Sequence, residues 1–358
     1  MACLLVTGAA GFIGCNFVRY WLQHHPADQV IALDALTYAG HEINLGDVLA
    51  NQQLSFVHGD IRNIELVTSL LVDHGIDTIV HFAAESHVDR SISGPTEFIE
   101  TNVVGTHSLL QAARRVWLTP KPCEHRFHHI STDEVYGTLD DTAPAFTEQT
   151  LYQPNSPYAA SKAASDHLVR AYQHTYGLQV TTSNCSNNYG PYHLPEKLIP
   201  LCIINLLQGK ALPVYGSGKN IRDWLYVEDH CRAIDLILQQ GSVGETYNIG
   251  GNNEWANIDV VHLLCDLLDQ QFAAEPELQQ CYPESNAARG LSSRDAIEFV
   301  TDRAGHDWRY AIDATKITRE LSFTSQESFT TGMEKTLRWF LHNADWWRHV
   351  QEDSVLAK

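Results

Sequence analysis

Two pairs of side chains in this sequence could perform chemistry together. Tyr158 and Lys162 are four residues apart, so on a helix they share one face. For a tyrosine to act as a base near neutral pH, its pKa must fall by about three units, or about 4 kcal/mol, and a lysine ammonium roughly 4 Å away supplies up to that much. Asp133 and Glu134 are adjacent carboxylates just upstream, and Thr132 before them could hydrogen-bond the same reacting oxygen. The combination predicts hydride transfer and proton transfer in one pocket.

A glycine-rich segment near residue 8 indicates where a cofactor would bind. Gly8, Gly11 and Gly14 follow an apolar strand pattern and open a helical pattern, with G-x-x-G-x-x-G spacing. Such a turn brings backbone amides and the positive end of a helix close to a pyrophosphate. Asp34 ends the next strand pattern, where a carboxylate can bind ribose hydroxyls and repels a 2′-phosphate. The sequence therefore predicts NAD rather than NADP, and the positive nicotinamide ring would add to the effect of the lysine on the tyrosine.

Further cofactor contacts are predicted after the third and fourth strands. Small or polar residues follow both strand ends, where a dinucleotide must pass in a sheet of this kind. The predicted residues are Asp60, Ile61, Phe82, Ala83, Ala84, Ser86 and, in the helix that follows, Thr101.

The elements that would position these residues alternate along the first half of the chain. Runs rich in Val, Ile, Leu and Phe, with little polar alternation, are typical of strands covered on both faces, and segments with helical spacing separate them. This alternation predicts an α/β fold with a doubly wound parallel sheet of the Rossmann type. The predicted strands are Ala2–Thr7, Gln29–Asp34, Leu54–His58, Thr78–Phe82, Arg126–Ser131 and Leu178–Ser183. The predicted helices are Gly11–His24, Asn63–His74, Pro95–Val116 and the helix that carries Tyr158.

Beyond about residue 185 the pattern changes and predicts a smaller C-terminal α/β lobe over the carboxyl edges of the sheet. Short strands at Leu212–Tyr215 and Thr246–Ile249 mix with helices there. We expect residues 1–185 to form the NAD-binding domain and residues 186–358 mainly the substrate-binding lobe, with some chain crossing back. The polar segment Phe272–Arg294 is expected to be an irregular loop. The predicted helices of this half are Pro195–Leu207, Val227–Leu238, Ile258–Leu268 and Phe329–His342.

The composition argues against several classes of partner. The 358 residues carry a net charge of −19, which disfavours nucleic acid and anionic membranes as partners. The longest apolar stretch, Leu198–Leu207, is far shorter than the roughly 20 residues of a membrane-spanning helix. Eight dispersed cysteines without a C-x-x-C pair predict free thiols in a reducing compartment rather than disulfides or a zinc site. We expect a cytoplasmic protein without a bound metal.

The chain resembles the extended short-chain dehydrogenase/reductases, which share the pattern of Thr7–Gly14 and the Tyr158/Lys162 pair. Within that group it is similar over nearly its whole length to the dTDP-glucose 4,6-dehydratases, and the most discriminating element is Thr132-Asp133-Glu134. The other segments that carry the resemblance are Asp34–Gly40, Ala84–Ser91, Ser131–Gly137, Ser156–Lys162, Asn188–Tyr192, Pro195–Leu198, Arg222–Trp224 and Asp302–Asp307.

The resemblance implies a three-step reaction on a nucleoside diphosphate glucose. Tyr158 takes the proton of the sugar O4 hydroxyl while hydride moves from C4 to NAD⁺. Glu134 then removes the C5 proton, and a protonated Asp133 donates to the departing C6 hydroxyl, so that water leaves. Hydride returns to C6, and the cofactor, which ends as it began, should stay bound. The implied product is dTDP-4-keto-6-deoxyglucose, a precursor of deoxysugars such as rhamnose.

The resemblance also implies the remaining contacts of the site. For NAD it adds Phe12, Ile13, Ala35, Leu36, Thr37 and Asn188. For the sugar nucleotide it implies Ser86, Thr132, Asn187, Lys197, Leu198, Pro213, Val214, Tyr215, Arg222, Asn257, Asp302, Arg303 and His306. Arg222 and Arg303 are suited to a pyrophosphate because a guanidinium presents a fork of donors. A homodimer is implied through Pro95–Val116 and Ser156–Tyr176.

Three other functions are weighed against this one. A sugar-nucleotide 4-epimerase or decarboxylase needs the tyrosine and the lysine but no Asp133-Glu134 pair, so the pair disfavours it. A non-enzymatic NAD sensor would have no use for an activated phenolate at Tyr158. A UDP-glucose 4,6-dehydratase would use the same residues, and the sequence does not distinguish thymine from uracil.

Overall fold

A computed structural model of the chain describes residues 2–119, 121–302 and 306–356. The strands of this part are β1 (Cys3–Thr7), β2 (Gln29–Asp34), β3 (Leu54–His58), β4 (Thr78–His81), β5 (Arg126–Thr132), β6 (Val180–Cys185), β7 (Asn187–Tyr189), β8 (Leu212–Tyr215), β9 (Ile221–Tyr226), β10 (Thr246–Ile249), β11 (Glu254–Ala256) and β12 (Ile297–Val300). The helices are α1 (Phe12–His24), α2 (Ile64–Asp73), α3 (Val88–Ser93), α4 (Thr96–Phe98), α5 (Thr106–Trp117), α6 (Pro157–Tyr176), α7 (Leu198–Leu207), α8 (Val227–Gln240), α9 (Asn257–Ala274), α10 (Leu278–Cys281), α11 (Thr315–Leu321), α12 (Phe329–His342) and α13 (Ala344–Leu356).

The main sheet has seven strands in the order β10-β6-β5-β4-β1-β2-β3, and all neighbouring strands are parallel. Leu5 of β1 faces a core shared with α2, α5 and α6, whereas Leu4 and Val6 face the core of α1 and α8. Helices thus cover both faces, which is why the strands are apolar with little alternation. The strand order reverses between β1 and β4, and a crevice opens at that point. The prediction of a doubly wound Rossmann-type sheet is confirmed.

The second half of the chain does not stay apart from this sheet. The strand predicted at Thr246–Ile249 is β10, and it pairs with β6 at the edge of the main sheet. The remaining strands form two small sheets, β11-β9-β7 and β12-β8. Helices α7, α9, α12 and α13 enclose a separate core that includes Ile203, Leu264, Phe340 and Trp347. This core supports the loops that face the carboxyl ends of the main strands.

Two local predictions need correction. The segment expected to be an irregular loop, Phe272–Arg294, contains the end of α9, helix α10 and a 3₁₀ turn at Ala287–Arg289. Leu278 and Tyr282 are buried in it, and the Tyr282 hydroxyl donates to the Leu341 carbonyl at 2.6 Å. Apolar residues at helical spacing therefore outweigh the polar character of the segment.

The helix predicted at Pro95–Val116 is interrupted by a π-helical turn at Ile99–Gly105. Asn102 in this turn donates to the Glu85 carbonyl at 3.0 Å and to the Ser161 hydroxyl at 2.8 Å. Such turns often occur at functional sites, and here the extra residue brings Asn102 against α6. Among the helices of the described ranges, none has both the length and the apolar character needed to traverse a lipid bilayer.

Candidate active site

The carboxyl ends of β1, β4, β5 and β6 open into a cavity of about 540 Å³, located where the strand order reverses. The cavity extends from the glycine turn after β1 to residues of β8 and β9 in the second half of the chain. All five predicted catalytic residues line it. The fold therefore brings the two reactive pairs together in one cavity that also reaches the glycine turn.

Tyr158 and Lys162 lie in the first turns of α6, which begins at this cavity. Ser156 caps the helix, because its side chain accepts a hydrogen bond from the amide of Ala159 at 3.1 Å, and Pro157 occupies the first helical position. Both reactive side chains are buried. The local sequence thus fixes where the helix starts and how its first turn faces the cavity.

In the chain without cofactor, burial works against the ionisation of Tyr158. Burial raises the pKa of Tyr158 well above its usual value, the Glu134 charge adds to this rise, and the Thr132 hydrogen bond opposes it. Lys162 donates to the Ile130 carbonyl at 2.7 Å, and burial lowers the pKa of its ammonium. The lysine by itself therefore does not activate the tyrosine. Further positive charge is needed, as an oxidised nicotinamide would supply.

The acidic pair lies on a 3₁₀ turn directly after β5, and its two members have different surroundings. Asp133 is 2% exposed, whereas Glu134 is only partly buried. Burial raises the pKa of Asp133 well above its usual value, the charges of Glu134 and Asp223 add to the rise, and Arg222 opposes it. Oδ1 of Asp133 accepts a hydrogen bond from the Thr132 hydroxyl at 3.4 Å, while Oδ2 is buried without a partner in the described part of the chain. This environment favours a protonated acid that can donate into the cavity.

The turn after β1 has the shape that a pyrophosphate requires. Gly8 has a φ of +68°, and a Cβ there would lie 2.6 Å from the amide nitrogen of Ala83. A Cβ on Gly14 would lie 2.1 Å from the Gly8 carbonyl oxygen. Only glycine fits these positions, so the backbone can fold tightly at the start of α1 and leave amides facing the cavity. The residues present therefore fit NAD.

Asp34 holds the neighbouring loop as well as facing the cavity. Its Oδ2 accepts from the Ala10 amide and its Oδ1 from the Leu36 amide, each at 2.8 Å. Leu36 has a φ of +51° and is not among the residues that line the cavity, so its contact with the cofactor stays a prediction. Its amide orients the Asp34 carboxylate.

Most other predicted residues lie around the same cavity. The predicted cofactor residues that line it are Gly8, Gly11, Phe12, Ile13, Gly14, Asp34, Ala35, Thr37, Asp60, Ile61, Phe82, Ala83, Ala84, Ser86, Thr101, Tyr158, Lys162 and Asn188. The predicted substrate residues that line it are Ser86, Thr132, Asn187, Lys197, Leu198, Pro213, Val214, Tyr215, Arg222, Asn257 and His306. Asp302 does not line the cavity, and its carboxylate pairs with the His306 ring at 2.7 Å. Arg303 lies outside the described residues.

The Arg222 side chain is fixed by contacts within the protein. Its guanidinium donates to the carbonyls of Ile221 at 2.7 Å and Asp307 at 2.9 Å, and it lies 4.3 Å from the centre of the Tyr310 ring. It also lies close enough to Asp133 to affect the pKa of that residue. Its binding of a pyrophosphate stays a prediction.

Asp166 is a residue behind the site that the sequence analysis missed. It lies one turn after Lys162 on α6 and accepts hydrogen bonds from Ser131 at 2.8 Å, Tyr152 at 2.9 Å and His129 at 3.0 Å. Burial raises the pKa of Asp166 to about 6, and the Lys162 charge opposes the rise. The carboxylate thus ties the end of β5 to α6. Its spacing of four residues from Lys162 was the available signal.

His193 is a second residue that sequence reasoning missed. Its ring stacks on Phe12 of the glycine turn, with 4.4 Å between ring centres, and it lines the cavity. Burial, with a contribution from Lys197, lowers the pKa of His193 to about 3. A neutral ring therefore packs against the start of α1. A single histidine after a Gly-Pro-Tyr turn carries no signal for this contact.

Comparisons with known proteins agree on one family. A family model described as GDP-mannose 4,6 dehydratase matches residues 5–336. A dTDP-glucose 4,6-dehydratase of Escherichia coli is 51% identical, and the alignment covers 99% of this chain and 98% of that protein. An enzyme of the same name from Xanthomonas campestris pv. campestris is 54% identical over 99% of this chain and 97% of its own length.

Solved structures give the same result. DesIV, a dTDP-glucose 4,6-dehydratase from Streptomyces venezuelae with NAD bound, superposes with a TM-score of 0.86 at 48% identity, over 97% of this chain and 99% of that one. UDP-glucose 4-epimerase from Thermotoga maritima superposes with a TM-score of 0.80 at 24% identity, over 96% of this chain and 99% of that one. The likeness to the epimerase is at the level of the fold alone.

Proposed function

The chain belongs to the sugar-nucleotide dehydratase family whose model is described as GDP-mannose 4,6 dehydratase, and from this we propose that it is an NAD-dependent hydro-lyase acting on dTDP-glucose. The product is dTDP-4-keto-6-deoxyglucose, which enters deoxysugar biosynthesis, for example that of rhamnose. The curated relatives and the closely similar solved structures carry the name of this activity.

One observation within the chain carries the proposal. Asp133 and Glu134 are adjacent, yet burial and the Glu134 charge keep the pKa of Asp133 well above its usual value. A site with one carboxylic acid and one carboxylate can donate and accept a proton in the same elimination. An epimerase, which only moves hydride at C4, has no need of this pair.

Bound NAD supplies the acceptor of a hydride from C4 and its later donor to C6. The chain supplies the proton transfers. Tyr158 takes the O4 proton and so allows a 4-ketone to form. Thr132 hydrogen-bonds Tyr158, and we propose that it also binds the same O4 hydroxyl. The Lys162 ammonium, which donates to the Ile130 carbonyl, is proposed to stabilise the ionised Tyr158.

The 4-ketone makes the C5 proton acidic, and Glu134 removes it. Asp133 donates its proton to the C6 hydroxyl, so that the C6–O bond breaks and water leaves. A proton returns to C5 when C6 accepts the hydride. Burial of Asp133 disfavours its charged form, which keeps it protonated until the hydroxyl departs.

The substrate is held mainly by the second half of the chain. We assign residues 1–185 to NAD binding and residues 186–358 mainly to the sugar nucleotide, with β10 returning to the main sheet. Lys197, Pro213, Asn257 and His306 line the part of the cavity formed by residues beyond 186. Asp302 and Arg303 are proposed to act with them.

The protein is proposed to work as a homodimer in the cytoplasm. Its eight cysteines are free thiols, which fits a reducing compartment. Ile99 and Val104 expose apolar side chains at the turn before α5, and Tyr176 does so at the end of α6. These are the helices through which the dimer is expected.

The test uses dTDP-glucose and UDP-glucose in separate incubations with the purified protein in D₂O. We expect dTDP-glucose to lose the mass of one water molecule and to gain solvent deuterium at C5, as seen by mass spectrometry and NMR. Faster turnover of UDP-glucose would show that the preferred substrate carries uracil rather than thymine. Inversion at C4 without loss of water would make the protein an epimerase.

A matched control substrate isolates the elimination. A dTDP-6-deoxyglucose has the C4 hydroxyl but lacks the C6 hydroxyl that must leave. It should be oxidised at C4 and exchange its C5 proton without losing water. If it loses water, the leaving group is not at C6 and the mechanism is wrong.

A further inference from the structure

The last described helix, α13, contacts the nucleotide-binding half of the chain. Trp346 at its start is 7% exposed, and its indole Nε1 donates to the side-chain oxygen of Asn44 at 2.7 Å. Asn44 lies on the 3₁₀ turn Glu42–Leu45, in the loop that follows β2. A helix from the C-terminal core thus reaches a loop next to the cofactor end of the cavity.

Asn44 also hydrogen-bonds the glycine turn. It is 2% exposed, and its Nδ2 donates to the Ala10 carbonyl at 2.8 Å. The Ala10 amide in turn donates to Oδ2 of Asp34 at 2.8 Å. An indole can only donate and a carbonyl can only accept, so both partners fix the orientation of the Asn44 amide. An unbroken series of hydrogen bonds therefore joins α13 to the turn and to the predicted ribose ligand.

Neighbouring contacts hold the same loop. Arg19 of α1 donates to the Asn44 carbonyl and lies 4.1 Å from the centre of the Tyr192 ring. Tyr192 packs edge-on against Trp346, with 5.6 Å between ring centres. His41 Nδ1 lies 3.7 Å from a carboxylate oxygen of Asp353 on α13. The loop is therefore fixed from the side of α13 at two positions.

The position of this loop matters because it forms one wall of the cavity. Its residues Ala35, Thr37, Ala39 and Gly40 line the cavity beside Asp34. A dinucleotide bound at the glycine turn would lie beside this wall. Movement of the loop would leave the buried amide of Asn44 without its partners, which is unfavourable.

We propose that α13 is a latch that retains the cofactor, with Trp346 and Asn44 as positioning residues. The latch keeps the loop and the glycine turn together between catalytic cycles. Such a latch suits a reaction in which the cofactor is regenerated on the enzyme, because the cofactor then does not need to exchange with the solution. This inference rests on NAD being the bound cofactor of the proposed function.

The test compares the release of NAD from two variants of the same helix. Trp346→Phe keeps an aromatic ring and removes the donor to Asn44. Trp347→Phe removes the indole donor of the next residue, which is also buried but donates to the Phe340 carbonyl within the C-terminal core. The protein is purified with its NAD and diluted, and the retained NAD is measured over time. We expect Trp346→Phe to release NAD up to about tenfold faster, as for one buried hydrogen bond, and Trp347→Phe to match the unchanged chain.

A second variant tests the series of hydrogen bonds that joins α13 to the glycine turn. Asn44→Ala should also release NAD faster, and the double variant should be no worse than Asn44→Ala alone, because both changes break the same series. In turnover assays Trp346→Phe should raise the apparent KM for added NAD⁺ rather than lower kcat. Thermal unfolding of each variant establishes that it is folded, and Asn44→Ala carries the test if Trp346→Phe does not fold.

Retention of NAD by Trp346→Phe and Asn44→Ala at the level of the unchanged chain would overturn the latch. Equal release from Trp347→Phe would also overturn it, because the effect would then be a general loosening of α13. The readout is separate from the proposed activity. If the variants release NAD as expected but the unchanged chain does not dehydrate dTDP-glucose, the latch stands and the proposed function falls.

Discussion

At the scale of single residues, the neighbours Asp133 and Glu134 illustrate how position decides chemistry. They follow one another on a 3₁₀ turn and both line the cavity, but Asp133 is buried and Glu134 is only partly buried. Desolvation favours the neutral form of a carboxyl group, and the charge of the neighbour adds to this effect. The first can therefore act as an acid while the second acts as a base.

This assignment predicts opposite isotope results for two conservative variants. Glu134→Gln should lower the rate of C5 proton removal by about 10²–10⁴, the typical contribution of a general base. Substrate recovered from D₂O should then carry no deuterium at C5. Asp133→Asn should slow loss of water by a similar factor but still allow exchange, so that recovered substrate carries deuterium. Exchange in Glu134→Gln would remove it from the role of base.

Asp166 predicts how stability depends on pH. Its pKa is about 6 in the folded protein, against 3.8 ordinarily, because burial disfavours its charge. The folded state therefore holds this proton more tightly, and the stabilisation is complete below about pH 4 and is lost as pH rises through about 6. The change is about 3 kcal/mol in the free energy of unfolding.

Asp166→Asn should remove this dependence, because an amide keeps the shape and does not titrate. Urea unfolding at a series of pH values measures the free energy of unfolding and its pH dependence. The control is Asp73→Asn, which changes an exposed aspartate of α2. The role of Asp166 is refuted if both variants follow the same pH curve as the unchanged chain.

At the scale of elements, the turn between β1 and α1 is the most constrained part of the site. Gly14 lies in α1, where a side chain would meet the Gly8 carbonyl at 2.1 Å. The helix can approach the strand only because the side chain is missing. The amides at its start then face the cavity.

Gly14→Ala should therefore lower the amount of NAD that copurifies and destabilise the protein by roughly 1–3 kcal/mol, as for other overpacked sites. Gly94→Ala is a matched control, because its Cβ would have its nearest neighbour at 3.8 Å. NAD content after denaturation and the melting temperature measure the two effects. A Gly14→Ala protein with full NAD content would contradict the fit of the turn.

At the scale of the whole molecule, the acidic chain leaves an apolar surface near α5 and α6. Val104 is 40% exposed and Ile99 is 47% exposed on the turn before α5. A homodimer through these helices would bury them.

Val104→Glu should weaken the dimer, because a charge would be buried at the interface. The control is Val72→Glu on α2, where the valine is 60% exposed, and this variant should leave the dimer intact. Sedimentation velocity at several protein concentrations measures the mass. A monomeric unchanged chain would remove the dimer from the proposal.

The sequence by itself determined the parts of this protein that depend on local spacing. The glycines of the first turn, Asp34 at the end of β2, and Tyr158 with Lys162 on α6 were all predicted from the sequence. Backbone geometry relates spacing to position within one element, and parallel strands bring their ends to one edge. The doubly wound sheet and the common cavity follow from that.

Only the tertiary structure decided the protonation and support of these residues. The pKa of Asp133 depends on burial and on Asp223 and Arg222 from a distant strand. Lys162 is directed to a carbonyl, and Trp346 reaches Asn44 across 302 residues of sequence. Desolvation and hydrogen bonding act through space, so no pattern of neighbours along the chain could predict them.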